Sequence, residues 1–190
     1  MCMHRPIQTI PDLLPTQTFA YAQARFLDPA IHWFYLPFTA TPDDVANIPE
    51  YQGSFSHLIW KDNEAVSPLW DLSLQILLAA CDRTGEQLES VARVRLGLCT
   101  RTPYSIQHTP HVDQGFKHRT GIWYPKTSSG DTVVFNERRR LGNGNYTELH
   151  RQKPTANLWF DFDGAHYHSS TTPTDHEERL VLTVNYILKK

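Results

Sequence analysis

Cysteine is scarce in this 190-residue sequence: Cys2, Cys81 and Cys99 are the whole complement, an odd number, far apart and without a CxxC pair. That excludes a disulfide framework and a thiolate zinc site, and it favours a reducing compartment. No apolar run reaches the ~18 residues that span a bilayer. The first thirty residues carry Gln8, Pro11, Asp12, Pro15 and Gln17 where a signal peptide needs a continuous apolar core. A soluble, cytoplasmic protein with no membrane partner is expected. Charge of one sign is lacking too, since 18 Lys+Arg face 20 Asp+Glu for a net charge of −2, so no global field draws nucleic acid or an anionic surface. No internal repeat, low-complexity segment or long interior linker divides the chain. At about 150 residues per domain, residues 1–190 form a single domain that can bury its own core.

What is present fits a globular chain, with 40% hydrophobic and 12% aromatic residues. Histidine is unevenly spread: seven of ten (108, 111, 118, 150, 166, 168, 176) lie after residue 107. Imidazole is the commonest metal ligand among side chains, which directs attention to the C-terminal half.

Residues 1–90 read as helical or irregular support. Thr41-Pro42-Asp43-Asp44 has a cap, a proline for the first turn and acids to complement the helix dipole, predicting a short helix. Ser67-Pro68 opens the main helix, with Leu69, Leu72, Ile76, Leu77 and Ala80 on one face and a stop near Gly85. From residue 91 the period changes to 2, with Ala92, Val94, Leu96 and Leu98 alternating against Arg93, Arg95 and Gly97. Further strands are predicted at 121–124, 132–136, 146–150, 156–162 and 180–187, between turn sequences such as Ser129-Gly130-Asp131 and Gly142-Asn143-Gly144. Short strands at such spacing make a mainly β sandwich or barrel, with the helix packed on a sheet.

In His111-Val112-Asp113 an imidazole and a carboxylate leave one face of an extended segment and can share an ion. Phe162-Asp163-Gly164-Ala165-His166-Tyr167-His168 can supply a second imidazole, and Arg179 opens the last strand eleven residues later. Two histidines and a carboxylate leave open positions of the kind a non-haem Fe(II) oxygenase needs, although zinc hydrolysis tolerates the same donors. A buried guanidinium beyond the metal suits a bidentate clamp on a distal carboxylate.

The segments HTPHVDQGFKHRTGIWYP, SGDTVVF, FDGAHYHSSTTP and RLVLTVNYI resemble the Fe(II)- and 2-oxoglutarate-dependent dioxygenases, in their prolyl 4-hydroxylase-like branch. SFSHLIW, VSPLWDLSL and VARVRLGL are similar to a subgroup predicted from phage and marine sequences, so the resemblance spans about two thirds of the chain. A phage origin would place the protein in the host cytoplasm. The resemblance implies a double-stranded β-helix, a cupin-like jelly-roll with its core at 91–190 and a helix on the major sheet. It implies His111, Asp113 and His168 as iron ligands and Arg179, Tyr124 and Thr183 around 2-oxoglutarate. It further implies dioxygen as oxidant, ascorbate as a candidate reductant, and hydroxylation of an unactivated C–H bond with release of succinate and CO2. Asp113 stands where a halogenase of this superfamily has a small residue, which favours hydroxylation over chlorination.

His166 competes with His168 for the distal position; three residues between Phe-Asp-Gly and the ligand favour His168. The branch's upstream cosubstrate tyrosine has no counterpart at the usual offset, leaving Arg101, Tyr104 or Gln107 as substitutes. His108, His118, His150 and His176 read as solvated or capping groups, and Trp123, Trp159 and Phe160 as packing. Arg138-Arg139-Arg140 precedes a Gly-Asn-Gly turn and reads first as a solvated hairpin tip; the alternative, with Lys117, Arg119 and Arg151, is a basic rim, and a nucleic-acid partner is weighed and not favoured against a small-molecule or peptide substrate. A peptidyl or free proline is the leading substrate, with a zinc-dependent hydrolase and a non-catalytic cupin-like binding module as the other readings. The sequence does not specify an oligomeric state.

Overall fold

Period-2 alternation in the two longest strands organises the molecule. A computed structural model describes residues 7–39, 53–142 and 144–189. In chain order these form β1 (Gln8–Ile10), α1 (Thr16–Phe26), β2 (Phe34–Leu36), β3 (Ser54–Lys61), β4 (Glu64–Ala65), α2 (Trp70–Thr84), β5 (Leu88–Thr100), β6 (Arg119–Tyr124), β7 (Thr132–Phe135), β8 (Glu148–Gln152), β9 (Leu158–Asp163), β10 (His168–Ser170) and β11 (Glu178–Leu188).

The major antiparallel sheet runs β1-β9-β6-β11-β5-β3-β2, with β4 hairpinned onto β3, and a minor sheet runs β10-β7-β8. Along β11, Leu180, Leu182, Val184 and Tyr186 join the core formed with the helices, whereas Val181 packs in the second core. Val94 and Leu96 of β5, Trp123 of β6 and Trp159 of β9 share the first core with Ala22 and Phe26 of α1 and Ile76, Leu77 and Ala80 of α2. The alternate residues, Arg179, Val181, Thr183 and Asn185, lie opposite Cys99, Gly97, Arg95 and Arg93 in register. This second face looks toward the minor sheet across Ile122, Tyr124, Val134, Leu158, Phe160 and Phe162. The result is a mainly β jelly-roll with flanking helices.

The expected main helix forms, starting at Trp70 rather than Pro68; Ser67 Oγ accepts the Leu69 N–H at 3.2 Å in the turn that leads in. Gly85 ends it in the left-handed conformation at φ 68°, which glycine adopts without steric cost. The segment before residue 91 differs from expectation, since α1 and strands β1 to β4 occupy it and β3 pairs directly with β5. Helix α1 begins at Pro15 without a side-chain cap, and β3 is bulged between Leu58 and Trp60, so neither shows a clean period. The helix expected at Thr41-Pro42-Asp43-Asp44 lies outside the described residues. Among the described residues no helix is long and apolar enough to cross a membrane.

Candidate metal centre

His111 and His168 meet through reciprocal backbone bonds, each N–H donating to the other's carbonyl at 2.9 Å. His168 opens β10 and pairs with Val134 of β7, while His111 precedes β6, so a two-residue bridge joins the HxD segment to the minor sheet. Asp113 completes the group: candidate ligand atoms of His111, Asp113 and His168 all lie within 4.8 Å of one another. His111 Nδ1 lies 3.1 Å from the Thr109 carbonyl and His168 Nδ1 lies 3.2 Å from that of His166. With Nδ1–H donating to a carbonyl, each ring keeps the Nε2 lone pair free, and these Nε2 atoms face Asp113 at 4.0 and 3.6 Å.

Asp113 is held from below. Arg93 Nη2 donates to Oδ1 at 2.5 Å, Asn185 Nδ2 donates to Oδ2 at 2.9 Å, and Arg93 Nε donates to Asn185 Oδ1 at 3.1 Å. Burial raises the pKa of this carboxyl, but His168, Arg95 and Arg93 outweigh it and hold the group well below the usual range. Burial, and then the neighbouring His168, pushes His111 down to about 3, so its imidazole is neutral as metal binding requires.

Arg179 is buried in the same pocket, which Arg95, Cys99, Thr132, Ser170 and Thr183 also line. Its Nε donates to the Gly130 carbonyl and its Nη2 to Thr132 Oγ1 at 2.7 Å. Gly130 is required here: at φ +92° a Cβ would lie 2.7 Å from the Thr171 carbonyl oxygen and 2.9 Å from Arg179 Cδ. Tyr124 is fully buried and reaches Arg179 through Thr132, its hydroxyl 2.8 Å from Thr132 Oγ1. Burial pushes the Tyr124 hydroxyl up to about 12, leaving it protonated. No carboxylate pairs with Arg179 among the described residues.

His166 stands apart from the cluster, with Nδ1 2.7 Å from the Phe135 carbonyl and Nε2 2.8 Å from Arg138. Arg101, Tyr104 and Gln107 are exposed and none lines the pocket. Of the histidines read as solvated or capping, His108 and His118 are instead buried, His150 stacks on Phe160, and His176 accepts the Ser129 N–H. Three members of the candidate basic rim are matched by acids: Arg138 pairs with Asp163, Arg151 with Glu148 and Asp131, and Arg119 is buried against Asp161. Trp123, Trp159 and Phe160 are fully buried packing groups.

Sequence reasoning missed Arg93, Asn185, Arg95, Thr132 and Gly130 as parts of the site. Asn185 shares the period-2 face of Arg179 and Thr183, which was the available signal. Arg93 and Arg95 read as the wet side of a half-buried strand, because the covering minor sheet is distant in sequence.

No family model matches the sequence, and no curated protein does. Solved structures are similar. A 2OG-Fe(II) oxygenase family oxidoreductase from Burkholderia pseudomallei superposes with a TM-score of 0.63 at 15% identity, over 95% of this chain and 84% of that one. The fold is that of the 2OG-Fe(II) oxygenases. A Pseudomonas putida prolyl-4-hydroxylase gives a TM-score of 0.57 at 16% identity over 97% and 93% of the two chains. A Trichoplax adhaerens prolyl hydroxylase, solved with a hypoxia inducible factor peptide fragment, gives 0.56 at 10% identity over 95% and 83%.

Proposed function

We propose that this chain is an Fe(II)- and 2-oxoglutarate-dependent dioxygenase that hydroxylates an unactivated C–H bond. The carrying observation is the convergence of His111, Asp113 and His168 in one pocket with a buried Arg179 that pairs with no carboxylate among the described residues. Two imidazole nitrogens and a carboxylate suit a small divalent ion that must keep positions open. Fe(II) with 2-oxoglutarate supplies oxidative decarboxylation by O2, yielding succinate and CO2, coupled to insertion of an oxygen atom into the substrate.

The chain's residues bind and orient. His111, Asp113 and His168 would hold the metal, with Arg93 and Asn185 fixing the carboxylate and the Thr109 and His166 carbonyls fixing the imidazole tautomers. Arg179 would take the 5-carboxylate of 2-oxoglutarate, since two of its five N–H donors anchor it to Gly130 and Thr132 and others remain to bind. Thr183 lines the pocket and adds a hydroxyl, while Tyr124 steadies Thr132. The inter-sheet walls, including Ile122, Val181 and Phe55, exclude water from the reacting atoms.

Proline, free or peptidyl, is the first substrate class to test, given the fold shared with prolyl hydroxylases. With Fe(II), 2-oxoglutarate, O2, ascorbate as reductant and a panel of prolyl compounds, the wild type should release succinate. Asp113→Ala should lose that turnover entirely. Succinate release by Asp113→Ala at the wild-type rate would refute the assignment.

A further inference from the structure

We propose that Arg95 forms a second carboxylate-binding position in this pocket, separate from Arg179, and so sets which anion the site accepts. The proposal rests on the oxygenase reading above. Three arginines face the space between the sheets, and their circumstances differ. Arg93 is matched by Asp113. Arg179 is anchored to Gly130 and Thr132. Arg95 lies two residues beyond Arg93 on β5, opposite Thr183 in register, and lines the pocket with His111, Asp113 and Arg179. Its Nε is fully buried and, among the described residues, has no hydrogen-bond partner.

A buried cation without a partner costs free energy, and folded chains keep one where something else supplies the countercharge. The charge balance points to an anion. Among the described residues Asp113 pairs with Arg93, which leaves the two pocket guanidinium groups, Arg95 and Arg179, without a carboxylate. A divalent metal adds two and 2-oxoglutarate removes two, so the loaded pocket keeps its excess. A guanidinium fork on a carboxylate satisfies the orphaned donor, and where that carboxylate belongs to the substrate it also offsets part of the excess. The carboxylate has two sources: the 1-carboxylate of 2-oxoglutarate, or an acid group on the substrate. The second would favour a free amino or hydroxy acid over an internal peptide residue.

The test uses the full chain loaded with Mn(II), without oxygen, and isothermal titration of 2-oxoglutarate and 2-oxopentanoate, which lacks the 5-carboxylate. Arg179→Gln should erase the preference for 2-oxoglutarate. If Arg95 takes the 1-carboxylate, Arg95→Gln weakens both keto acids by roughly tenfold or more and keeps their ratio. If it takes the substrate's acid, both keto acids bind Arg95→Gln normally. Acetate then raises the melting temperature of the 2-oxoglutarate-saturated wild type and not that of Arg95→Gln. Unchanged keto-acid binding together with an acetate response equal in both proteins, or absent from both, overturns the proposal. The unliganded Arg95→Gln should melt at or above the wild-type temperature, because it removes a guanidinium whose buried Nε has no partner among the described residues. Arg95→Lys, which keeps the charge without the fork, should bind better than Arg95→Gln. Failure of the oxygenase reading shows separately, as wild-type protein that binds neither keto acid while the acetate arm still reports on Arg95.

Discussion

At Asp113 a single carboxylate carries two duties: it closes the His111–His168 cluster above and receives Arg93 and Asn185 below. Such buried groups are also where pH acts. His108 is buried beside Ser170, and burial, then Arg179, pushes it down to about 4 from an ordinary 6.5. Below 6.5 the unfolded chain takes up a proton that the folded chain refuses, so stability should fall with pH until about 4. The loss should reach about 3 kcal/mol at most. Urea unfolding at several pH values should show a shallower acid loss for His108→Gln; identical slopes for variant and wild type would contradict this. Gly130 supports a second residue-scale prediction. Gly130→Ala should displace Arg179 and weaken 2-oxoglutarate binding by roughly tenfold, with a stability cost of about 1–3 kcal/mol. Unchanged cosubstrate affinity in that variant would show that the cradle does not position Arg179. At this scale the HxD, His168 and Arg179 were legible because they fall in one recognisable order. The residues that hold them were not, because Arg93, Asn185 and Thr132 meet them only through pairing between distant strands.

At the scale of elements, β11 joins the core to the site: its even-numbered residues pack on the helices and its odd-numbered ones, from Arg179 to Asn185, face the pocket side. Leu182→Ala should therefore cost about 2–5 kcal/mol by leaving a cavity in the helix-facing core, as read by chemical denaturation, while Mn(II) affinity stays at the wild-type value. Loss of metal binding at temperatures where this variant is folded would mean that the two faces are coupled. Strands β5 and β11, whose central residues alternate between the two faces, and helix α2 with its Gly85 stop were readable from the sequence. Helix α1 was not, because only Ala22 and Phe26 of it are buried. Strand β3 was not, because its bulge breaks the period and its pairing with β5 spans a helix.

For the whole molecule, the two sheets enclose a pocket with the three-residue cluster and Arg179 in the same lining, and the minor sheet contributes Thr132 and His168 to it. The sequence indicated a sandwich or barrel without choosing between them, since strand order depends on long-range pairing; the resemblance implied the jelly-roll that the strand order displays. In the proposed function one pocket binds Fe(II) and 2-oxoglutarate together, with Arg179 on the 5-carboxylate. The direct measurement is anaerobic titration of 2-oxoglutarate into the Fe(II)-loaded protein, monitored for the weak visible absorption that a chelated keto acid gives to Fe(II). The band should appear in the wild type, and Arg179→Ala should require roughly tenfold or more 2-oxoglutarate to form it. A flat spectrum, or a band that forms at the same 2-oxoglutarate concentration in both proteins, would contradict it.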